Sequence, residues 1–404
     1  MKKNKVKATL LISFIVILIM GFGYLTIHRV EKVNEKATTG TVGNFLDSAN
    51  IQMEILNQEE ANIKSDEGNN EQERVTAHPS PNPYDFTICF AGDINLDESW
   101  CTTLYMDEQP GGIQDCISKE LLEHMQNADI MCLNNEFTYS ERGEALPGKA
   151  YCFRANPERV EILKEMGVDI VKLANNHIYD YGEQALLDTL DTLENAGIEY
   201  VGAGQNLEQA MAPVYIELDG KTVAFVAASR AEKNIMTPQA TETSAGILRC
   251  YDTALFIEAI KEARKNADFV LAYVHWGTEY SFELEEVQLT TGKEYLDAGA
   301  DVVIGAHSHC LQGMEYYEGK PIIYSLGNYW FNEKTLDTML LDLHFTGDDL
   351  DGQIEVKVIP AVQSDYKTTI AKEEAEQERI YKFLEDISVN VQIDENGIVT
   401  EKTE

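Results

Sequence analysis

From Tyr84 onward, short apolar segments alternate with longer amphipathic ones, and few folds accommodate that order. Several of the apolar segments have the length of buried strands and end in polar residues: FTICFAGD, ADIMCLNNE, VDIVKLANNH, DFVLAYVHWG, DVVIGAHSH and PIIYSLGN. Between them lie helical patterns such as ERVEILKEMG and GEQALLDTLDTLENAG, each closed by a glycine suited to a helix C-cap. This alternation predicts an α/β fold in which helices cover the sheets.

The C-terminal part predicts further strands of partly antiparallel character. They are EYVGAG, KTVAFVAAS and a hairpin over TMLLDLHFTGDDLDGQIEVKVIP. Lys372–Ser388 then has the pattern of an exposed, charged helix, and the last 16 residues resemble a tail. We therefore expect one large domain over residues 84–362 and a C-terminal helix and tail over residues 363–404.

The N-terminal part predicts a membrane anchor. Lysine-rich residues 1–7 precede an uncharged run of 20 residues, 8–27, which as a helix would rise about 30 Å and cross the hydrocarbon core. The lysines predict a cytoplasmic N-terminus and an exported remainder, hence a single-pass protein of the cell membrane. A cleaved signal peptide is the alternative, but no small-x-small cleavage site follows the run. Residues 28–83 are polar and predict a flexible extracytoplasmic linker.

The charge and the cysteines exclude several classes of function. With 32 Lys and Arg against 69 Asp and Glu, the formal net charge is -37, so the chain repels nucleic acid. An anionic substrate would need local positive charge, which a bound metal can supply. The 7 cysteines form no C-x-x-C pair, which excludes a zinc ribbon, and a Cys101–Cys116 disulfide outside the cell stays open.

Potential metal ligands stand where the predicted strands end. Beyond the carboxyl ends of strands in α/β sheets, side chains share a crevice. The set comprises Asp93, Asn95, Glu136, Asn176, His177, His275, His307 and His309, and includes four of the 8 histidines. Mixed imidazole and carboxylate donors suit Zn, Mn or Fe. We expect two such ions, bridged by the Glu136 carboxylate, a pair that activates water for phosphoester hydrolysis.

Two of these motifs resemble those of calcineurin-like metallophosphoesterases: GAHSH is similar to their G-H-x-H element and LANNH to their G-N-H element. A closer resemblance is to CapA-type proteins, which are associated with poly-γ-glutamate capsule synthesis. It extends over roughly 60% of the chain, in the stretches FAGDINL, NNEFTYS, CFRANPE, LANNHIYDYGEQALLDTLDTLENAGIEYVGAG, VHWGTEY, AGADVVIGAHSHCLQG and YSLGNYWF.

The resemblance implies a metallophosphatase-like, four-layer α/β/β/α sandwich around a dinuclear centre. Carried over by motif, Asp93 and His309 would hold one metal ion, with Glu136 bridging. The ligands of the other ion would be Asn176, His275 and His307. His177 would donate a proton to the leaving group.

Departures from the phosphoesterase pattern leave that activity an open question. Asn95 replaces the imidazole of D-x-H, which predicts a weaker first metal site, and Glu136 replaces a bridging Asp, as the CapA-like pattern itself does. Three further residues are candidates for substrate contact or for orienting ligands: Arg154, Glu279 and Asn328.

Three functions remain open on the sequence alone. The first is a metal-dependent hydrolase acting outside the membrane on a capsule polymer or a phosphorylated envelope substrate. The second is a non-catalytic accessory subunit of a membrane-embedded capsule or polyglutamate synthase. The chain has no G-x-x-x-x-G-K-[ST] loop, so ATP-driven ligation by that route would lie in partner subunits. The third is a general phosphodiesterase or nucleotidase.

Overall fold

The computed structural model describes residues 83–232, 236–348 and 352–402. The predicted membrane helix over residues 8–27 and nearly all of the predicted linker lie outside these ranges. Within them, no helix has both the length and the apolar character that crossing a bilayer requires.

Strands and helices alternate along most of the described chain. The strands are β1 (Tyr84–Ile94), β2 (Ile130–Asn135), β3 (Thr138–Tyr139), β4 (Arg154–Ala155), β5 (Ile170–Lys172), β6 (Glu199–Val201), β7 (Ala203–Gly204), β8 (Val214–Leu218), β9 (Lys221–Ser229), β10 (Gly246–Ile247), β11 (Phe269–His275), β12 (Val302–Ala306), β13 (Leu311–Tyr317), β14 (Lys320–Leu326), β15 (Asn328–Trp330), β16 (Leu336–Gly347), β17 (Gly352–Ser364), β18 (Lys367–Ile370), β19 (Val391–Ile393) and β20 (Ile398–Glu401). The α-helices are α1 (Cys101–Asp107), α2 (Lys119–Asn127), α3 (Val160–Glu165), α4 (Glu183–Ala196), α5 (Leu207–Met211), α6 (Ala254–Asn266), α7 (Glu286–Asp297) and α8 (Glu374–Asp386).

Two sheets contain most of the strands. The larger has the order β19-β20-β17-β16-β1-β2-β5-β6, with β15 beside β1 and β18 beside β17. Its strands β1, β2, β5 and β6 run parallel, whereas β16 and β17 are antiparallel. The smaller sheet has the order β13-β14-β12-β11-β9-β8, and its four central strands are parallel. In each sheet the parallel strands therefore end at one edge.

Hydrophobic clusters hold these layers together. One cluster lies between the larger sheet and helices α1 to α4. A second lies between the two sheets, where Phe90 packs against Tyr273 with ring centroids 5.9 Å apart. A third lies between the smaller sheet and helices α6 and α7. The layers follow the order helix, sheet, sheet, helix, and the predicted α/β class is confirmed.

The helix ends agree with the chemistry of the sequence. Helix α4 is followed by Gly197, whose φ of 73° gives the left-handed turn that glycine adopts without a steric cost. Helix α7 begins with a capping box in which Glu285 and Gln288 each accept from the other's backbone N–H.

The end of the chain differs from the prediction of a tail. Residues 391–401 form a hairpin, and β20 pairs with β17 through Val399 opposite Val356. Each of the two short strands buries one valine, Val391 or Val399. The Asp394 carboxylate stabilises the turn between the strands by accepting from two backbone N–H groups. Helix α8 is also less exposed than predicted, because Ile380 and Leu384 are buried. All the cysteines are free, so Cys101 and Cys116 are not bridged.

Gly92 allows β1 to approach the loop after β14 closely. A Cβ atom at this position would lie 1.9 Å from the carbonyl oxygen of Gly327, which is far inside van der Waals contact. The backbone N–H of Asp93 donates to that same carbonyl at 2.9 Å. The absence of a side chain at residue 92 therefore brings Asp93 beside Asn328, its partner in the β1–β15 pair.

We expect Gly92→Ala to lower the free energy of unfolding by about 3 kcal/mol, because the new methyl group must push two backbone segments apart. Denaturant titration of the purified protein measures the change. Gly319→Ala is the control: its Cβ would meet nothing within 4 Å, and only its φ of +74° is unfavourable, at about 1 kcal/mol. An equal or smaller loss at residue 92 than at residue 319 would contradict the close approach.

Candidate metal centre

Strand ends from both sheets meet at one buried site. Asp93 stands at the end of β1 and Glu136 directly after β2, both in the larger sheet. His275 ends β11 of the smaller sheet, and His307 follows β12. All four side chains are buried. The crevice predicted from parallel strand ends is thus shared by two sheets rather than formed by one.

Two groups of potential ligands share one carboxylate. Asp93, Glu136 and His309 form the first group, and Glu136, His275 and His307 form the second. Within each group the donor atoms all lie within 4.8 Å of one another. The Glu136 carboxylate therefore lies within reach of the donor atoms of both groups.

Hydrogen bonds from amide side chains hold the two carboxylates in place. The Asn134 side-chain nitrogen donates to Asp93 Oδ1 at 2.6 Å and to Glu136 Oε2 at 2.9 Å. Asn175 in turn donates to Asn134 Oδ1 at 3.1 Å. Sequence reasoning missed both residues, although each is the first Asn of an N-N pair beside a predicted ligand.

Several buried polar atoms at the site lack a hydrogen-bond partner among the described residues. They include Glu136 Oε1 and His307 Nδ1, together with the amide nitrogens of Asn95 and Asn328. Glu136 Oε1 lies 3.5 Å from His275 Nε2. Leaving a buried acceptor unpaired costs about 1–3 kcal/mol, and more for a charged group. A cation between Glu136 Oε1 and His307 Nδ1 would remove that cost for these two atoms, so the residues fit a metal ion.

The titration of these groups differs between the two sides of the site. Burial and the nearby Asp93 raise the pKa of Glu136 well above its usual range. Burial opposes protonation of His309, but Glu136 and Asp93 outweigh it and raise its pKa to about 9. Burial lowers the pKa of His307 to about 3 and that of His275 well below normal. His275 and His307 therefore offer neutral imidazoles, whereas a metal ion bound at His309 displaces a proton.

His307 and His309 both have left-handed backbone conformations. Their φ angles are 99° and 55°, and a non-glycine residue in a sparsely populated region costs on the order of 1–3 kcal/mol. Ser308 between them fixes the turn, because its hydroxyl contacts the Ser325 hydroxyl at 2.8 Å and donates to the Cys310 carbonyl. The turn directs two imidazoles into one site at a cost in backbone strain.

The His275 ring lies between two polar groups. Its Nε2 is 2.8 Å from Asn176 Oδ1, so the two predicted ligands of one metal ion are adjacent. Its Nδ1 is 2.7 Å from the Lys172 ammonium nitrogen. Burial lowers the pKa of Lys172 to about 8, against the opposing effect of Asp93 and Glu136. Sequence reasoning missed Lys172, although this charged residue interrupts the apolar sequence IVKLA at the end of β5.

His177 lies beside the two ligand groups. Its Nε2 is 4.0 Å from Glu136 Oε1, while its Nδ1 is 2.7 Å from Asp180 Oδ2. The Lys149 ammonium group contacts the other Asp180 oxygen at 2.6 Å. The Phe153 ring packs on the imidazole, with centroids 4.5 Å apart. Sequence reasoning missed Asp180 and Lys149. The H-x-x-D spacing from His177 to Asp180 could have indicated Asp180.

The remaining predicted residues have different surroundings. Asn328 Oδ1 lies 2.8 Å from His309 Nδ1. The Asn95 side-chain oxygen accepts from the backbone N–H of Asp97 at 2.8 Å, so the atom predicted to bind metal is engaged by its own turn. Arg154 stacks over the Tyr181 ring at 4.0 Å. Glu279 is exposed and acts on Glu136 and His309 through its charge.

Known proteins have sequences similar to that of this region. PGA biosynthesis protein CapA of Bacillus subtilis (strain 168) is 32% identical over 254 residues, which is 62% of this chain and 65% of that protein. Capsule biosynthesis protein CapA of Bacillus anthracis is 29% identical over 279 residues, 67% of each chain. A probable polyglutamine synthesis accessory protein of Mycobacterium tuberculosis is 30% identical over 219 residues, 52% of this chain and 58% of that one. The chain thus spans about two thirds or less of the length of these relatives.

Two solved structures that match part of this chain are named as a putative nucleotidase and a nucleotidase. A putative 5'-nucleotidase from Staphylococcus aureus has a TM-score of 0.42 at 16% identity, covering 74% of this chain and 58% of that one. The NAD nucleotidase of Haemophilus influenzae has a TM-score of 0.40 at 11% identity, covering 76% and 64%.

The family model described as "Bacterial capsule synthesis protein PGA_cap" matches residues 87–333. This range contains every residue of the two ligand groups, the whole smaller sheet and nearly all of the parallel strands β1, β2, β5 and β6 of the larger sheet. It also contains all the stretches on which the resemblance to CapA-type proteins was based. The match extends over more than half of the chain, and the protein therefore belongs to the bacterial capsule synthesis family of CapA-like proteins.

Proposed function

We propose that this protein is a metal-dependent hydrolase of phosphoester type that acts in capsule synthesis. The observation that carries the proposal is the pair of buried donor groups joined by Glu136. Both groups contain carboxylate and imidazole donors, which favour Mn, Zn or Fe over Ca or Mg. The unpaired acceptor on Glu136 supports the same assignment.

Two divalent ions would divide the donors between them. Asp93 and His309 would hold the first ion, where Asn95 stands as a further candidate ligand if its amide turns away from Asp97. The second would be held by Asn176 and by the neutral imidazoles of His275 and His307. Glu136 would bridge the ions, because a shared carboxylate offsets their mutual repulsion. When bound, such a pair polarises the substrate oxygen and lowers the pKa of water towards neutrality.

His177 is the proposed proton donor to the leaving group. The Asp180 carboxylate holds its Nδ1, which turns Nε2 towards the ligand groups. Lys149 holds Asp180 in turn and also contacts Glu232 at 3.3 Å. Phe153 covers one face of the ring and limits the access of water to it. The imidazole is thus positioned before any substrate arrives.

The proposed substrate is an anionic polymer or a phosphorylated component of the cell envelope. A protein with a net charge of -37 repels anions over most of its surface, so the ions and nearby cationic side chains would have to attract the substrate. Arg154 is the candidate for a direct contact, because its planar guanidinium binds carboxylate or phosphate through two hydrogen bonds. Glu279 and Asn328 would contact substrate or orient ligands.

The proposed location is the outer face of the cell membrane. Residues 8–27 would anchor the chain and residues 28–83 would separate the domain from the bilayer. Membrane-embedded capsule or polyglutamate synthase subunits would be its partners there.

A non-catalytic accessory role is the second candidate. A relative from Mycobacterium tuberculosis carries the name of a probable polyglutamine synthesis accessory protein, which supports this alternative. Under it, the ligand groups would stabilise the fold or bind polymer without turnover. A metal site contributes to stability whether or not it catalyses, because metal bound only by the folded state favours that state.

We expect Glu136→Gln to reduce bound manganese from about two equivalents per chain to less than one, because the neutral amide cannot bridge two cations. Mass spectrometry of the dialysed protein gives the metal content. Glu315→Gln is the matched control, since Glu315 is also buried but pairs with Lys293 at 2.8 Å, away from both groups. Retention of two equivalents in Glu136→Gln would contradict the bridging role.

We expect His177→Asn to lower kcat on small phosphoesters by roughly 10²- to 10⁴-fold, the usual contribution of a general acid, with manganese content unchanged. Asp180→Asn should give a smaller fall in kcat, because the imidazole remains but loses its orientation. His344→Asn is the control, because His344 pairs with Asp85 on the surface of the larger sheet. Full turnover in His177→Asn would eliminate this residue as the proton donor.

The yield of capsule polymer in cells separates the two candidate functions. If the protein is a hydrolase in this pathway, His177→Asn should reduce the yield as deletion of residues 84–402 does. A normal yield with His177→Asn, combined with loss on deletion, would favour the accessory role.

A further inference from the structure

A second cluster of ligand types lies on the helix side of the larger sheet. Cys89 is in β1 and Asp342 is in β16, and the two residues are directly opposite each other in the antiparallel pair. His124 is in the last turn of helix α2, which covers this face. The three side chains thus come from three separate elements, and none of them belongs to the groups around Glu136.

The donor atoms of this cluster converge. The Cys89 sulfur, a His124 ring nitrogen and an Asp342 carboxylate oxygen all lie within 4.8 Å of one another. His124 Nε2 is 2.9 Å from both Asp342 oxygens. Cys89 is fully buried, whereas the His124 side chain is 36% exposed. The cluster is therefore closed on the sheet side and open to solvent on the helix side.

The carboxylate of Asp342 stands on an apolar face. Alternate residues of β16 point to opposite sides of the sheet, and Leu340 on the same side as Asp342 packs in the cluster beneath the helices. Leu341 and Leu343 face the other sheet instead. A carboxylate is costly among such neighbours unless a cation or hydrogen-bond donors compensate its charge.

We propose that Cys89, His124 and Asp342 bind a zinc ion. Thiolate, imidazole and carboxylate are the three donor types that zinc takes in proteins, and three protein ligands leave the fourth tetrahedral position to water. On binding, the Cys89 thiol releases its proton to solvent, and the Nε2 proton that His124 shares with Asp342 moves to Nδ1 or to solvent, which frees Nε2 for the metal. Asp342 exchanges its contact with His124 for the metal. One thiolate and one carboxylate then balance the charge of the ion.

The site would fasten helix α2 to two strands of the larger sheet. Cys89 precedes Asp93 by four residues in β1, so the zinc would lie roughly 13 Å along the strand from the centre around Glu136. Burial, and then the charge of Asp342, raise the pKa of Cys89 well above normal in the metal-free chain, so the thiol keeps its proton until a metal displaces it.

Cobalt as a probe for zinc tests the proposal in the purified full-length chain. A thiolate ligand gives Co²⁺ a sulfur-to-metal charge-transfer band in the near ultraviolet, and no cysteine belongs to the groups around Glu136. We expect the band in the wild type and in Glu136→Gln, and its loss in Cys89→Ser. Cys132→Ser is the matched control, because Cys132 is equally buried but faces the smaller sheet, and it should keep the band.

His124→Ala provides a second variant in case Cys89→Ser does not fold, since the His124 side chain is partly exposed. We expect the cobalt affinity, measured by titration of the thiolate band, to fall in this variant by more than the roughly 10- to 100-fold that loss of an outer-shell partner costs. Absence of the band in the wild type overturns the proposal, as does its persistence in His124→Ala with unchanged affinity. Neither result bears on the manganese content or the turnover that test the Glu136 centre, so each proposal can fail without the other.

Discussion

The rest of the site depends on how the charge of the buried Glu136 carboxylate is compensated. The carboxylate is fully buried, and one of its oxygens has no hydrogen-bond partner among the residues that the structure describes. Burial and Asp93 together disfavour its charge. Asn134 supports the other oxygen, and the imidazoles of His275 and His309 approach from the opposite sheet. A buried carboxylate in such surroundings stays ionised only when nearby cations or protonated groups compensate its charge.

Much of the architecture could be predicted because the strands are short, apolar and bounded by clear helix signals. The segments FTICFAGD and DFVLAYVHWG became β1 and β11, and the strand-end position of His275 followed from the end of its apolar run. The family was predicted for the same reason, since its motifs are the polar ends of these strands. What periodicity could not supply was the pairing of two sheets at one site, which depends on long-range packing.

The missed residues all act through other side chains. Asn134 hydrogen-bonds to the candidate ligand Asp93, and Asp180 hydrogen-bonds to the proposed proton donor His177. Lys172 contacts His275 from inside the core. Their roles depend on distances between side chains, which spacing along the chain does not determine. The hairpin over residues 391–401 was missed because each of its strands buries a single valine, too few residues for a period-2 pattern to appear.

The origin of the ligands in both sheets has a consequence for the order of folding. Asp93 and His307 are 214 residues apart in sequence, and they come together only after the two sheets have packed. A chain that has formed the larger sheet alone holds Asp93 and Glu136 without any imidazole from the smaller one. Capture of metal is therefore expected to be a late event, and an immature chain would retain an ion only loosely until its last layer closes.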